Sequence, residues 1–419
     1  MELSQLSRML FIAKSVGLHP ASGGLTDGAA LPALSALTKT VETPKETRSI
    51  LITHVLRTAV AYVDIVNSVY PIAAVVAIPY SADTRAVKAL RDRGYEVVLP
   101  KDVPDTFTQS EATVLKALES SAQPLVVQEV GGYLARSSAK LAAFKHFRGV
   151  VEDTNNGHWL YERTAPHPCP VLSMARSPLK DVEDTVIGDA VLFSIERVIR
   201  ENFSSILQGC RSAVIGFGKI GTSTATALKG RESVVSIYDI NPGKNMRANA
   251  EGFNPVPLHL LLPRVDLVVG CTGQTSVRRV DMDFLKDGCI LASASSKDIE
   301  FDLKGFAANC KVETFDEITK RYVTPAGKAF YVLLDGTPIN FRDGSMLGTI
   351  LDMIYSELFV CMRLVANGLA PVDLSNSPPE VQNEVAKAWL RAHSKEFEQA
   401  GNDKVWDYPE SLKLGLPQA

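Results

Sequence analysis

The chain has 419 residues, 46% hydrophobic and 22% charged, with a net charge of -3. That length allows two or three domains with sizeable cores, and the mixed charge leaves no basic footprint for nucleic acid or an anionic membrane, so the expected partner is a small molecule. Six cysteines, Cys169, Cys210, Cys271, Cys289, Cys310 and Cys361, lack a CxxC pair; no zinc knuckle, other metal site or disulfide framework is expected, only buried thiols of a reducing compartment.

Residues 1–16 carry apolar side chains at helical spacing, and 18–47, rich in Gly, Ala, Ser and Thr, read as a loop-bearing segment. Arg8 and Lys14 interrupt the N-terminal apolar positions, and no window reaches about 18 uninterrupted apolar residues, so a cytoplasmic protein is expected. From residue 50 a regular alternation begins. Strands are expected at 50–54, 72–79, 96–100, 124–128 and 149–151, with helices at 84–93, 110–120 and 134–147. This is a first α/β sheet without a phosphate-binding motif. Prolines punctuate 166–170 ahead of the apolar run 171–174, and a long helix at 184–201 reads as a hinge between domains.

Residues 211–239 read as strand, glycine turn, helix and strand. Gly216, Gly218 and Gly221 form a Gly-x-Gly-x-x-Gly in the setting that motif requires, with Lys219 and Ile220 inside the turn. Gly216 permits the tight turn, Gly218 lets the backbone approach a pyrophosphate, and Gly221 lets helix and strand pack closely. Asp239 stands where a carboxylate takes the ribose hydroxyls. A carboxylate repels a 2′-phosphate and no Arg directly follows it, so the expected cofactor is NAD rather than NADP.

Further on, a helix is expected at 241–251 and strands at 265–269 and 289–294. The loop Gly270, Cys271, Thr272, Gly273 ends the first of these and should lie along the cofactor, because open sheets bind ligands at strand C-termini. Residues 321–338 alternate like a hairpin, and Asn340 opens a polar loop. An apolar helix at 347–365 returns to the first domain, an amphipathic one spans 380–398, and 405–419 has no strong pattern. The expected fold class is α/β with two Rossmann-like parallel-sheet domains. A substrate-binding domain covers 1–188, an inserted NAD-binding Rossmann domain 189–346, returning helices 347–400 and a tail 401–419.

Several segments are similar to one family. Glu152-Asp153-Thr154-Asn155-Asn156-Gly157 resembles a Glu-Glu-Thr-Thr-Thr-Gly run beside NAD, and Ser177, Lys180 and Asp184 resemble an Asp-Ser-x-x-Lys-x-x-x-Asp-Asn segment. Together with Gly270 to Gly273, the segment 333–340 and Leu351-Asp352-Met353-Ile354-Tyr355-Ser356, these make the chain resemble the S-adenosylhomocysteine hydrolases from about residue 50 to about 386. In that family bound NAD oxidises the 3′-hydroxyl, the ketone acidifies the C4′ proton, and elimination expels the thiol before water adds and the ketone is reduced. The resemblance puts the family's Lys and Asp on Lys180 and Asp184. Lys180 would help remove the hydroxyl proton and Asp184 would orient the sugar. Asp153 and His54 are further acid/base candidates, and Thr154, Asn155, Asn156, Thr272, Gly273 and Asn340 are cofactor neighbours. Taken alone, a Lys and an Asp four residues apart read more simply as a solvated surface pair.

The likeness breaks where the second half of that chemistry should be. The family's Asp before Gly-Gly falls on Val130, which cannot accept a proton, and neighbouring Glu129 would face the other side of a strand. The family's Gly-His-Phe-Asp is Ser295, Ser296, Lys297 and Asp298, and its Gly-His-Pro loop is replaced near Gly344, Ser345 and Met346. Thr185 and Ala175 stand where the family has Asn, and its subunit-bridging tail is not recognisable in 412–419. The expected function is an S-adenosylhomocysteine-hydrolase-like NAD-dependent enzyme. It would transiently oxidise a sugar hydroxyl of a nucleoside or related substrate and use the ketone for epimerisation, elimination or carbon–carbon bond chemistry. The alternatives are a genuine hydrolase with a diverged pocket and a catalytically silent NAD-binding regulator. A homo-oligomer, dimer or tetramer, is expected.

Overall fold

The computed structural model describes residues 30–39, 46–295 and 297–400. The helical pattern at 1–16, Ser296 and the segment 405–419 lie outside the described residues.

Apolar, β-branched runs build the first sheet from β1 (Arg48–Thr53), β2 (Ile72–Ala77), β3 (Val97–Val98), β4 (Leu125–Glu129), β5 (Phe147–Glu152), β6 (Pro170–Ser173) and β15 (Asp373–Asn376). Their order is β15-β6-β5-β4-β1-β2-β3, and every pairing is parallel. Successive side chains leave a strand on opposite faces, so a continuous apolar run needs cover on both. Leu51 packs on one face with Phe359, Val360 and Met362 of the Ile350–Ala366 helix. Ile50 and Ile52 pack on the other with Val114 and Leu118 of the Val103–Ser120 helix. The apolar helix expected to return to the first sheet does so. Its buried Asp352 accepts from the N–H groups of Ala33 (2.8 Å) and Leu34 (3.0 Å) and lies 2.8 Å from His393 Nε2, tying three helices together.

The second sheet contains β7 (Arg211–Ile215), β8 (Val234–Tyr238), β9 (Asn254–Pro255), β10 (Leu267–Gly270), β11 (Cys289–Ser293), β12 (Lys311–Thr314), β13 (Thr319–Val323) and β14 (Ala329–Leu333). Its order is β12-β13-β14-β11-β10-β7-β8-β9, parallel except for the antiparallel edge in which β13 and β14 form the expected hairpin. Strand order reverses between β7 and β10, the crevice where such sheets bind ligands. All of this sheet lies between β6 and β15 in the chain, so it is inserted into the first.

Several expectations change. The helix at 134–147 shrinks to Ser138–Ala142, because the Leu134 N–H goes to the Glu129 carboxylate (3.1 Å) and Phe147 already begins β5. The helix at 380–398 breaks at the extended Ser394, where His393 turns in to Asp352. The loop segment 18–47 contains a helix, Pro32–Lys39, whose first turn is held by Asp352. Finally, two of the six free cysteines, Cys210 and Cys310, are only half-buried.

The long helix starts earlier than expected, at Pro178–Phe203, with Ser177 as its cap and proline in its first turn. The expected boundary after 188 falls inside it. A Cβ on Gly188 would lie 2.3 Å from the Ser223 backbone, and the Gly188 N–H donates to Ser223 Oγ (2.9 Å), so this helix packs directly on the Lys219–Gly230 helix of the second sheet.

Candidate active site

The glycine turn follows β7. Gly216 has φ +94°, and a Cβ there would sit 2.6 Å from the Cys271 carbonyl; a Cβ on Gly221 would sit 1.8 Å from the Gly216 carbonyl. A Cβ on Gly218 would meet only Lys244 Nζ, at 4.0 Å, so the turn is closed beneath and open above. That is the shape a pyrophosphate needs at a helix N-terminus. Ile220 packs toward the core and Lys219 faces outward. Buried Asp239 follows β8 and accepts from the N–H groups of Phe217 (2.7 Å) and Asn241 (2.8 Å), with Lys244 Nζ at 3.6 Å. Its two oxygens have lone pairs left for ribose hydroxyls. The turn and the carboxylate therefore fit NAD.

The loop after β10 is organised by a carboxylate that sequence reading missed. Buried Glu300 accepts from the Thr272 N–H (2.7 Å), the Thr272 hydroxyl (2.9 Å) and the Gly273 N–H (2.8 Å). These donors are engaged within the protein, so the loop meets a cofactor by its shape. A Cβ on Gly273 would lie 3.3 Å from Asn156 Oδ1 and 3.4 Å from Trp159, which brings the loop of the second sheet onto the start of the Asn155–Thr164 helix of the first. Thr154 caps that helix, accepting from the Gly157 N–H (3.0 Å). Asn340 is buried and donates to Ser345 Oγ (2.9 Å) within its own turn.

Beneath the first sheet's loops lie two buried carboxyls. Glu152 accepts from the N–H groups of Gly131 (3.0 Å), Gly132 (2.9 Å) and Thr154 (2.7 Å), and a Cβ on Gly157 would come within 2.1 Å of its carboxyl carbon. Glu129 accepts from Leu134 N–H and the Tyr161 hydroxyl, so it faces the core as strand alternation requires. Burial first, then the neighbouring Glu152, pushes Glu129 up to about 8; burial pushes Glu152 up to about 7 against four hydrogen bonds that favour the anion. A raised carboxyl gives stability that is fully present below its ordinary 4.5 and lost as pH climbs to the folded value. His54, whose pKa is lowered, acts oppositely but only below 6.5. Between pH 6.5 and 8 stability should therefore fall. Glu129→Gln should flatten that slope, and urea unfolding at the two pH values measures it; an unchanged slope would overturn the assignment.

The acid/base candidates converge. Lys180 Nζ lies 3.0 Å from Asp153 Oδ1 and also pairs with Glu183, with the three side chains 11%, 14% and 12% exposed. Lys180 and Asp184 do not pair as a simple i,i+4 couple. Asp184 Oδ2 is met instead by Lys219 Nζ at 3.6 Å, which also pairs with Asp181 (2.5 Å), so the glycine turn contacts the start of the long helix. Burial acts to lower the Lys180 pKa, but Asp153, Glu183 and Asp184 together outweigh it and the net effect is upward. The lysine is thus held protonated. His54 follows β1, with Nδ1 2.6 Å from Ser81 Oγ and its ring centroid 4.5 Å from that of Phe341. Burial lowers its pKa to about 4, Asp153 and Lys180 exerting smaller and opposite effects, so it is neutral at physiological pH. Val130 is buried among apolar side chains, and Lys297 Nζ donates to the Gly131 carbonyl (3.3 Å) across the two sheets. Trp159 and Glu300 had no sequence signal, since each owes its place to a distant partner, and Glu183 stands one helical turn from Lys180 in no motif.

Among the described residues no helix is long and apolar enough to cross a membrane, and no group of three or more His, Cys, Asp or Glu side chains is placed to hold a metal.

Two doubly wound sheets, a glycine turn with its ribose carboxylate, and a buried lysine beside them define an NAD-binding two-domain α/β protein. Residues 190–345 match the family described as S-adenosyl-L-homocysteine hydrolase, NAD binding domain. An adenosylhomocysteinase from Saccharolobus solfataricus is 25% identical over 80% of this chain and 82% of its own, and one from Sulfurisphaera tokodaii is 23% identical over 92% and 94%. Another, from Nostoc sp., is 32% identical, but the match spans only 48% of either chain. Over most of its length the chain is thus similar to the adenosylhomocysteinases, and NAD is its cofactor. A solved glyoxylate reductase from Paecilomyes thermophila, 10% identical, covers 80% of this chain and 99% of its own at a TM-score of 0.43, a likeness too loose to carry an argument.

Proposed function

We propose that this NAD-dependent enzyme transiently oxidises a secondary hydroxyl of a nucleoside or related sugar and uses the ketone for epimerisation, elimination or carbon–carbon bond chemistry. Residues 189–346 act as the NAD-binding unit, and residues 1–188 with 347–400 hold the substrate. The observation that carries this reading is the buried Lys180–Asp153 pair on the helix whose Asp184 meets the glycine turn through Lys219, while Val130 offers no base. Bound NAD supplies a hydride acceptor that later returns the hydride. Lys180 handles the hydroxyl proton, Asp184 orients the sugar, and Asp153 and the neutral imidazole of His54 complete the hydrogen bonding around it. The enzyme works on a small molecule, as a homo-oligomer, in the cytoplasm.

Incubating the NAD-loaded protein with a panel of nucleosides should raise NADH absorbance, with mass analysis identifying the product. The relatives' name favours a second reading, a genuine hydrolase with a diverged pocket, which predicts homocysteine release from S-adenosylhomocysteine. Loss of a general base typically removes about two to four orders of magnitude of rate, so little release is expected. Stable NAD binding with no absorbance change on any nucleoside would leave the silent regulator standing instead.

A further inference from the structure

Lys180 sits among more negative charge than it can balance. Asp153, from the loop after β5, and Glu183, one helical turn along, both pair with it inside a site where each side chain is less than one-seventh exposed. Asp184 shares Lys219 with Asp181, and among the described residues Lys180 is the one cation that pairs with Asp153 and Glu183. Two carboxylates facing one ammonium away from water leave one charge uncompensated, and a proton is the simplest neutraliser. Glu183 cannot be rescued by its other neighbours. Lys180 and Asp184 lie on its own helix, Asp153 faces it from the loop after β5, and Tyr355 interacts with it from the Ile350–Ala366 helix; His54 and Glu357 face the Lys180–Asp153 pair beyond them. Lys180 is the one cation of this set.

We propose that Glu183 is the proton store of the site, taking a proton from Lys180 Nζ as Lys180 takes one from the substrate hydroxyl. This rests on the reading that the site oxidises a sugar hydroxyl. In the step the O–H bond breaks, its electron pair forms the carbonyl, the carbon's hydride goes to bound NAD, and the proton comes to rest on the Glu183 carboxylate by way of Lys180. The ammonium begins and ends with three protons, so a lysine that is always charged can still transmit one. When the ketone is reduced the same proton returns, and the cycle needs no exchange with water. The balance suits this role: burial raises Glu183 to about 7 despite the pull of Lys180, so the group holds or releases a proton near neutral pH. Glu183 acts through Lys180 rather than on substrate.

Two measurements test it on the NAD-loaded full chain. In the first, the rate of NADH appearance with adenosine or another nucleoside that reduces the bound NAD is followed from pH 5.5 to 9. The wild type should speed up through about pH 7; Glu183→Gln should be about a hundredfold slower and lack that inflection, and Glu183→Asp should restore it. A variant Glu183→Gln with the wild-type inflection would overturn the proposal, because loss of packing alone would not remove a titration. In the second, infrared spectra of the resting protein at pH 6 are compared. The wild type should carry one more protonated carboxyl than Glu183→Gln, and equal counts would overturn the proposal even if no nucleoside is oxidised. Failure of every nucleoside to reduce NAD in the wild type, with the carboxyl difference present, would refute the sugar-oxidation reading and show Glu183 holding a proton without a partner step, which also overturns its role as a store.

Discussion

Gly221→Ala is expected to abolish NAD binding and to lower the melting temperature by several degrees. A methyl there would lie 1.8 Å from the Gly216 carbonyl oxygen and 3.4 Å from Cys271 Cβ. Neither neighbour can give way. Gly216 is itself held at φ +94° with the Cys271 carbonyl directly beneath, so the only relief is for the Lys219–Gly230 helix to lift off β7. Overpacking of a core typically costs about 1–3 kcal/mol, and a clash with backbone belongs at the upper end. A lifted helix also withdraws the N–H groups that would face the pyrophosphate. Gly218→Ala separates the two effects. Its methyl meets only Lys244 Nζ at 4.0 Å, so the protein should melt as the wild type does while NAD affinity falls, because the methyl occupies the space above the turn. Calorimetric titration with NAD beside thermal melts reads both. Near-normal NAD binding by Gly221→Ala would mean that the turn is not the cofactor's seat.

The strands of both sheets were legible because their signals are local. Runs such as Ile50, Leu51, Ile52 and Leu267, Val268, Val269 can be stable only as strands covered on both faces. Elements whose reasons are tertiary were harder. The Ala59–Val69 helix is apolar around much of its circumference, so no periodicity marks it, and β15 is a strand of Asp, Leu, Ser and Asn that exists because it extends the sheet beside β6. The over-long helix at 134–147 arose from the opposite error. Leu134, Ala135 and Leu141 are all buried, but from a turn pinned by Glu129 rather than from successive helical turns.

The site divides along the same line. The glycine turn and Asp239 follow from a motif in which each residue has a stereochemical duty, so sequence alone located them. Likeness points to Lys180 and Asp184 but not to their pairings, because Asp153 reaches Lys180 from the loop after β5 and Lys219 reaches Asp184 from the glycine turn, while Glu183 lies one turn along the same helix. Spacing by four suggested a Lys180–Asp184 couple. In the folded protein the cation has two closer carboxylates, and electrostatics at about 3 Å outweighs a spacing rule worth a few tenths of a kcal/mol.

Lys180→Ala should produce the largest loss of all, and its pH dependence should reveal why. Removing the ammonium leaves Asp153 and Glu183 facing each other away from water, and breaking a buried ion pair from one side typically costs about 3–5 kcal/mol. Without the cation, Glu183, which burial already raises and Lys180 holds down, rises further above its value in the unfolded chain. Stability in the variant is then retained below the ordinary carboxylate range and lost as pH rises, so its deficit relative to wild type should be greater at pH 8 than at pH 5. The rate of NADH formation with a nucleoside that reduces NAD in the wild type should drop by about two to four orders of magnitude. Lys180→Arg separates structure from proton transfer. A guanidinium preserves the charge and should recover most of the stability, but with a pKa above about 12 and a delocalised charge it does not relay a proton, so the rate should stay low. Urea unfolding of both variants at the two pH values, beside single-turnover absorbance, makes the comparison. A wild-type rate in Lys180→Arg would take proton handling away from this residue, and a pH-independent deficit in Lys180→Ala would mean that the neighbouring carboxyls never depended on its charge.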